Sequence, residues 1–399
     1  IATLGFSSML SQPRPHLSRV NLQSPRTNRS FHRESLESPG LPRFHSAAFV
    51  AAVLGFSLQR KRRCAAMSVS AEASTDAMQR LEGLKSAAGA GAEFSAMELD
   101  SAEASLRKAG GTDGVKWAAL REQLAQTAHQ NYKDWPKTEE DADEFSKLLS
   151  CDMPVFRQIF QRVFRDGGWE AAAESAAKRE TTPWIVLVTG LNGIRKTTCM
   201  YQPWFPDLLS SALKSPNGEL VPKDELPHGR NGFFRQLDHI IATIASEEFR
   251  TLYEVEDVNR YSSLKDGIFS RYRKIAETWG IALVKEAKRH RLNIMAETSG
   301  RDAGMFRYID HCFPDDSYRK LVLHFDINDI SFAEKSVDSR MLREMADGRL
   351  ALAGSTQDII KVNAGGPYGS QVLQSVQADS NKVWDEVLSG RLAQSWFKA

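Results

Sequence analysis

The stretch Trp184–Thr198, WIVLVTGLNGIRKTT, constrains the fold of this chain more than any other. An apolar run ends at a glycine, a short turn follows, and lysine and threonine then open a helix. This order of strand, loop and helix is typical of a loop that cradles phosphates. The usual pattern G-x-x-x-x-G-K-[ST] has glycine directly before the lysine, whereas this chain has Arg195 there.

The residues of this candidate phosphate loop favour binding of ATP with Mg²⁺. Glycine and asparagine tolerate the left-handed backbone angles that turn N–H groups toward an anion. In the pattern the lysine reaches the β- and γ-phosphates and the next hydroxyl holds the metal, so Thr197 is the predicted metal ligand. The predicted nucleotide-binding residues are Gly190, Asn192, Gly193, Ile194, Arg195, Lys196, Thr197 and Thr198.

Arg195 leaves two alternatives open at this stage. We expect its position at the helix start to have nearly helical backbone angles, which arginine adopts without strain. Its guanidinium is then either a tolerated surface group or an additional phosphate contact. A loop that has lost nucleotide binding is the competing interpretation.

From Trp184 onward, apolar strand-like runs alternate with helical stretches. This alternation predicts an α/β domain of the P-loop NTPase type, with a largely parallel sheet and helices on both faces. In such sheets ligands bind beyond the carboxyl ends of the strands. The predicted strands are WIVLVTG, NGFFRQLDH, RLNIMAETS, KLVLHFDIN and DIIKVN.

Polar side chains follow two of these strands. Asp238 comes after the second strand, where its carboxylate would orient or deprotonate an attacking hydroxyl; an N-cap of the next helix is the alternative. Glu297, Ser299 and Arg301 follow the third strand and are spaced two apart, which puts them on one face of an extended segment. They suit a polar acceptor substrate, and a capping loop with a surface ion pair is the alternative.

Further candidates lie later in the chain. Asp326 follows the fourth strand and is a weaker candidate for holding Mg²⁺. The next helical stretch carries Arg340, Arg343 and Arg349, and a mobile helix above the phosphates would let an arginine neutralise transition-state charge. Arg340 and Arg343 are one turn apart and share a face. The glycine-rich segment 363–366 either wraps the nucleotide base or is a simple turn.

The first 180 residues differ in character from the rest. Residues 75–180 show helical periodicity, and we interpret them as a helical region that packs beside the α/β domain (181–399) and offers a surface for a protein partner. Residues 1–66 carry a net charge of +8, which leaves −6 for the remainder of a chain whose total is +2. A mildly acidic folded part argues against binding a long nucleic acid.

The basic segment 1–74, rich in Ser, Pro and Arg, has the composition of a transit peptide. It predicts delivery to an organelle, either plastid or mitochondrion, with cleavage near Cys64–Met67. A disordered tail, with Met67 as the true start of a cytoplasmic protein, is the alternative. The apolar run Ala47–Leu58 is too short to span a bilayer, so no stable membrane span is expected. The four scattered cysteines indicate reduced thiols.

The ordered set of phosphate loop, Asp238, E-T-S-G-R (297–301) and an arginine-bearing helix resembles the zeta-toxin family of P-loop kinases. The resemblance covers roughly residues 184–370. It implies that Lys196 binds ATP phosphates, Asp238 is the base, and Arg340 or Arg343 contacts the phosphates. It further implies that the acceptor, a small sugar-containing molecule, is held by Glu297, Ser299 and Arg301.

Arg195, the insertion 214–230 and the helical region depart from that family's pattern. The predicted function is therefore an ATP- and Mg²⁺-dependent phosphotransferase with Lys196, Asp238, Arg340 and Arg343 as catalytic residues. Two alternatives remain: an ATP-binding scaffold without catalysis, and a kinase for the 5′-hydroxyl of nucleic acid.

Overall fold

A computed structural model describes residues 76–398, apart from 112, 214–219, 224, 230, 327–328, 364 and 367–368. The predictions made for the leader, for its apolar run and for the cleavage region lie outside the described residues. These described residues form one compact unit.

Within the described residues five parallel strands form one sheet, which confirms the mixed α/β class and the parallel pairing. The order across the sheet is β2-β3-β1-β4-β5. The strands are β1 (Trp184–Gly190), β2 (Gly232–Arg235), β3 (Asn293–Glu297), β4 (Arg319–Phe325) and β5 (Phe397–Lys398).

The last predicted strand, DIIKVN, is wrong, because all of its residues except Asn363 belong to a helix, Thr356–Val362. Ser355 and Asp358 form a reciprocal capping box at its start, and this local hydrogen bonding favours the helix over an isolated apolar strand. The fifth strand is instead the two-residue segment β5, which pairs with β4 near the end of the chain.

Helices cover both faces of the sheet because the strand residues alternate between two apolar clusters. Ile185 and Leu187 of β1 belong to the large core that also contains the long central helix. Val186 and Val188 pack in a second cluster with Met200, Phe205 and neighbouring residues. The central strands are therefore buried on both sides, as their continuous apolar sequences predict.

The described residues before β1 fold mainly into helices, in agreement with their helical periodicity. Residues 76–89 form α1. The following helices are α2 (Ala96–Ala109), α3 (Trp117–Thr127), α4 (Trp135–Leu148), α5 (Pro154–Ile159), α6 (Gln161–Asp166) and α7 (Trp169–Ala177). Within and after the sheet come α8 (Lys196–Met200), α9 (Phe205–Ala212), α10 (Leu237–Ile244), α11 (Ser246–Leu252), α12 (Val258–Arg289), α13 (Gly304–Cys312), α14 (Ile330–Ala351), α15 (Thr356–Val362) and α16 (Leu373–Leu388).

Helix α12, with 32 residues, joins the helical region to the sheet. The Phe145 ring of α4 stacks on the Trp279 ring of α12 with centroids 4.7 Å apart. The buried Arg271 pairs with Glu98 of α2 at 2.6 Å. One hydrophobic core therefore contains residues of both parts. None of the helices in the described part of the chain has the length and apolar character that crossing a membrane requires.

Candidate functional site

The candidate phosphate loop connects β1 to α8, as predicted, and two of its glycines are required by its shape. Gly190 and Gly193 have φ angles of 128° and 88°. A Cβ atom on Gly190 would lie 2.7 Å from the carbonyl oxygen of Phe325, and one on Gly193 would lie 2.6 Å from that of Ala333. Both angle and space therefore exclude a larger side chain.

Arg195 adopts a left-handed conformation, with φ 65° and ψ 34°, as the N-cap of α8. Our expectation of nearly helical angles is wrong, because Arg195 is the N-cap, which flanks the helix and does not need helical angles. The Arg195 guanidinium lies 5.9 Å from the centroid of the Phe332 ring, in the first turn of α14. The position thus has the backbone of a glycine, and its charge is directed at an aromatic ring.

We expect Arg195→Gly to be more stable than Arg195→Ala by about 0.5–1.5 kcal/mol, because only glycine relieves the left-handed strain. Urea unfolding of the two variants measures this difference, since both remove the guanidinium. Affinity for Mg·ATP should change less than about threefold in Arg195→Gly, because Arg195 does not line the cleft and its guanidinium lies over the Phe332 ring. A larger loss would identify the guanidinium as a phosphate ligand.

The other predicted loop residues divide into buried and exposed groups. Ile194 packs in a small cluster with Val337 of α14, so only its backbone is available to a ligand. Asn192 and Thr197 line the cleft beside the loop. Thr198 is exposed on α8 and is not among the residues that line this cleft.

Lys196 is buried within its own loop, with 2% of its surface exposed. Its Nζ donates to the carbonyl oxygens of Gly190 at 2.8 Å and Leu191 at 3.0 Å, and lies 3.4 Å from Oε1 of Glu297. Burial lowers the pKa of Lys196, and the nearby Glu297 carboxylate opposes that shift. The ammonium group is thus held at the centre of the loop.

Glu297 ends β3 beside β1, in register with Val188. Its carboxylate accepts a hydrogen bond from the Thr197 hydroxyl and pairs with Lys196. The structure therefore places Glu297 against the phosphate loop, although it was expected at the acceptor. Ser299 and Arg301, two and four residues further, line the cleft.

The donors Thr197 and Glu297 fit Mg²⁺ by their chemistry. Magnesium prefers hard oxygen ligands and usually takes one or two carboxylates together with substrate phosphates and water. A hydroxyl and a carboxylate that already contact each other at the loop match that requirement. No cluster of three or more His, Cys, Asp or Glu side chains suited to a metal occurs within the described residues.

Asp238 is the second residue of α10, in its first turn. The N-cap position belongs to Gln236, so the alternative of Asp238 as an N-cap is wrong. Burial raises the pKa of the Asp238 carboxyl, and the charges of Arg273, Lys265 and Arg340 oppose this shift. A half-buried carboxylate near cations has the electrostatic setting of a general base.

Arg340 of α14 is brought to the same place as Asp238. A Cβ atom on Gly365 would lie 3.5 Å from Nη1 of Arg340 and 3.7 Å from Oδ2 of Asp238, so both groups approach one point of the backbone. Asn363 fixes this turn by donating from Nδ2 to the Asp238 carbonyl oxygen at 3.0 Å. The glycine-rich segment therefore lies beside the candidate base and arginine.

The remaining predicted charged residues lie elsewhere. Arg343 is exposed and is not among the residues that line the cleft, so sharing a face with Arg340 does not bring it to the site. Arg349 donates to the Val255 carbonyl oxygen at 3.3 Å. Asp326 follows β4, which lies on the opposite side of β1 from β3, and it does not line the cleft either.

The cleft measures about 1690 Å³ and has one wall from the helical region. The segment 129–133 between α3 and α4 lines it, together with Trp135. Lys133 pairs with Asp302 at 2.5 Å, and the rings of Trp135 and Tyr308 lie 4.5 Å apart. The helical region thus borders the segment that follows β3, a role that the sequence did not predict.

Comparison with profiles of known protein families, with characterised proteins and with solved structures produced no match. Chemically, the cleft joins a loop suited to phosphates, an oxygen donor pair suited to Mg²⁺, a half-buried carboxylate and an arginine. The resemblance to zeta toxins stays a prediction that rests on the residues named above.

Proposed function

We propose that this chain is an ATP-dependent, Mg²⁺-requiring phosphotransferase, similar to the zeta-toxin kinases, that acts on a hydroxyl of a small, sugar-containing acceptor. The observation that carries the proposal is the meeting of Thr197, Glu297, Asp238 and Arg340 in one cleft beside the phosphate loop. Each group suits a different requirement of phosphoryl transfer, which depends mainly on positioning and charge stabilisation.

In the proposed reaction the acceptor hydroxyl oxygen attacks the γ-phosphorus of ATP. A new O–P bond forms, the bond from the γ-phosphorus to the bridging oxygen breaks, and ADP leaves with that oxygen. Asp238 takes the proton of the hydroxyl, and its ionised form is required for this step. Arg340, near Asp238, would stabilise the charge of the transferring group.

The loop residues bind the nucleotide in this proposal. Lys196 exchanges hydrogen bonds with the loop carbonyls for bonds with phosphate oxygens, which are stronger because both partners are charged. Thr197 and Glu297 would hold Mg²⁺, which when bound neutralises charge on the β- and γ-phosphates. Ser299 and Arg301, which also line the cleft, would contact the acceptor.

We expect Glu297→Gln to raise the Mg²⁺ concentration that half-maximal ATP binding requires by about tenfold. Loss of one anionic ligand weakens the binding of a hard cation such as Mg²⁺, while the glutamine amide keeps the shape of the side chain. Titration of nucleotide binding at several Mg²⁺ concentrations measures this shift. If the metal requirement stays unchanged and only the affinity for the acceptor falls, Glu297 holds the acceptor instead.

The function itself is tested with γ-labelled ATP and a fractionated pool of sugars, nucleotide sugars, nucleosides and nucleic acid ends. We expect Mg²⁺-dependent transfer of label to a small-molecule fraction. Label on nucleic acid ends would favour a polynucleotide kinase. Binding of ATP with no labelled product in any fraction would favour a nucleotide-binding scaffold.

A further inference from the structure

A buried ion pair joins α12 to α14. Nζ of Lys265 lies 2.7 Å and 2.9 Å from the two carboxylate oxygens of Glu344, and the Tyr261 hydroxyl donates to the same carboxylate at 2.8 Å. Lys265 and Glu344 are 1% and 2% exposed, and Tyr261 is completely buried. We call these three residues the α12–α14 cluster.

Stability alone does not explain this cluster. Removing two charges from water is costly, and replacing a buried pair with apolar residues of similar size is often neutral or stabilising. Its hydrogen bonds are directional, however, so they specify one rotation of α14 against α12 more narrowly than apolar contacts do.

The α12–α14 cluster lies next to the candidate site. Glu344 follows Arg340 by four residues on α14, so the two side chains lie on the same face of the helix. Lys265 contacts Glu344, one turn from Arg340, and its charge opposes the rise in the pKa of Asp238 that burial causes. Lys265 is not itself among the residues that line the cleft.

Helix α14 is packed closely on both sides of Arg340. Toward its start, the carbonyl oxygen of Ala333 is so close to Gly193 of the phosphate loop that no side chain fits there. Toward its end, Gly348 lies against the ring of Tyr253 with equally little room. The helix therefore spans from the phosphate loop to the core, with the α12–α14 cluster one turn from Arg340.

We propose that Lys265, Glu344 and Tyr261 are positioning residues, whose buried contacts fix the rotation of α14 and thereby hold Arg340 opposite Asp238. This inference rests on the proposed phosphotransferase function. The α12–α14 cluster would then stabilise the transition state but not the bound nucleotide, because Arg340 would act on the transferring phosphoryl group.

The test compares binding of Mg·ADP with binding of Mg·ADP plus aluminium fluoride, which imitates the transferring phosphoryl group. In the triple variant Tyr261→Phe, Lys265→Met, Glu344→Leu no polar member of the cluster is left without a partner. We expect its Mg·ADP affinity to stay within twofold of wild type and the added affinity from aluminium fluoride to fall at least tenfold. An undiminished gain from aluminium fluoride would overturn the inference.

If the triple variant does not fold, single tyrosine variants test whether the α12–α14 cluster positions Arg340. Tyr261→Phe removes one hydrogen bond to Glu344, and we expect the gain from aluminium fluoride to fall about threefold. Tyr272→Phe is the matched control, because the buried Tyr272 of the same helix donates to the buried Glu248 of α11 at 3.0 Å. Equal effects of the two variants, or none for Tyr261→Phe, would overturn the inference.

The two proposals fail in different ways. If the wild-type chain does not bind Mg·ADP, the proposed function is wrong and the positioning role falls with it. If wild type binds Mg·ADP and gains affinity from aluminium fluoride, while the cluster variants gain as much, only the positioning role is wrong.

Discussion

Asp238→Asn should lower the rate of phosphoryl transfer by about 10²- to 10⁴-fold, the usual contribution of a general base. The amide keeps the size of the side chain and cannot accept the proton of the acceptor hydroxyl. Affinity for Mg·ATP should change less than about threefold, because Asp238 belongs to α10 rather than to the loop. Transfer of γ-label and nucleotide titration measure the two effects separately.

Asp326→Asn is the matched control for this substitution. Asp326 also follows a strand of the sheet, β4, but it does not line the cleft. We expect this variant to transfer phosphate at the wild-type rate. If Asp238→Asn is as active as Asp326→Asn, the base is another group and the assignment of Asp238 is wrong.

The pH dependence of the phosphoryl-transfer rate is a second test of Asp238 as the general base. Its ionised form is the active one, and burial raises its pKa above that of an exposed aspartate. The rate should therefore increase with pH through this raised pKa and level off above it. Because the Lys265 charge opposes the shift, loss of that charge should move the acidic limb to higher pH.

Local patterns were sufficient to predict the strand, loop and helix at Trp184–Thr198 and the parallel pairing of the sheet. Apolar runs bounded by glycine or polar residues are local signals, and parallel strands bring their carboxyl ends to one edge. This geometric rule explains why Asp238 and Glu297, 59 positions apart in the sequence, both line one cleft.

The wrong predictions have physical causes that cannot be recognised from one short stretch of sequence. The segment DIIKVN is as apolar as a strand, yet the Ser355 capping box makes it a helix. Strand β5 has only two residues, too few to show the apolar pattern that predicts a strand. The left-handed angle of Arg195 was not predicted, because the intrinsic backbone preference of arginine disfavours such an angle.

Contacts between segments far apart in the sequence could not be predicted either. Lys133 and Asp302 are 169 positions apart, so nothing in either segment indicates that the helical region borders the cleft. The partners of Lys265 were hidden for the same reason, because Glu344 is 79 positions away. The sequence pattern predicted a helical stretch around Arg340 without indicating which face of α14 meets α12.

Lys196→Ala should weaken binding of Mg·ATP by at least about 30-fold, since hydrogen bonds to charged groups contribute about 1.5–3 kcal/mol each. The substitution removes the only lysine of the loop, whose Nζ is already directed at the loop carbonyls. Lys335→Ala is the matched control, because Lys335 is an exposed lysine of α14 that does not line the cleft. It lowers the net charge equally and should leave affinity unchanged.

Calorimetric titration of Mg·ATP into wild type, Lys196→Ala and Lys335→Ala tests the central claim, that this loop binds the phosphates of a nucleotide. We expect wild type to bind Mg·ATP saturably at one site, and this binding to require Mg²⁺. Lys335→Ala should bind as wild type does, whereas binding by Lys196→Ala should be lost or at least 30-fold weaker. A wild-type chain that does not bind Mg·ATP, or a Lys196→Ala variant that binds it as tightly as wild type, would contradict the account.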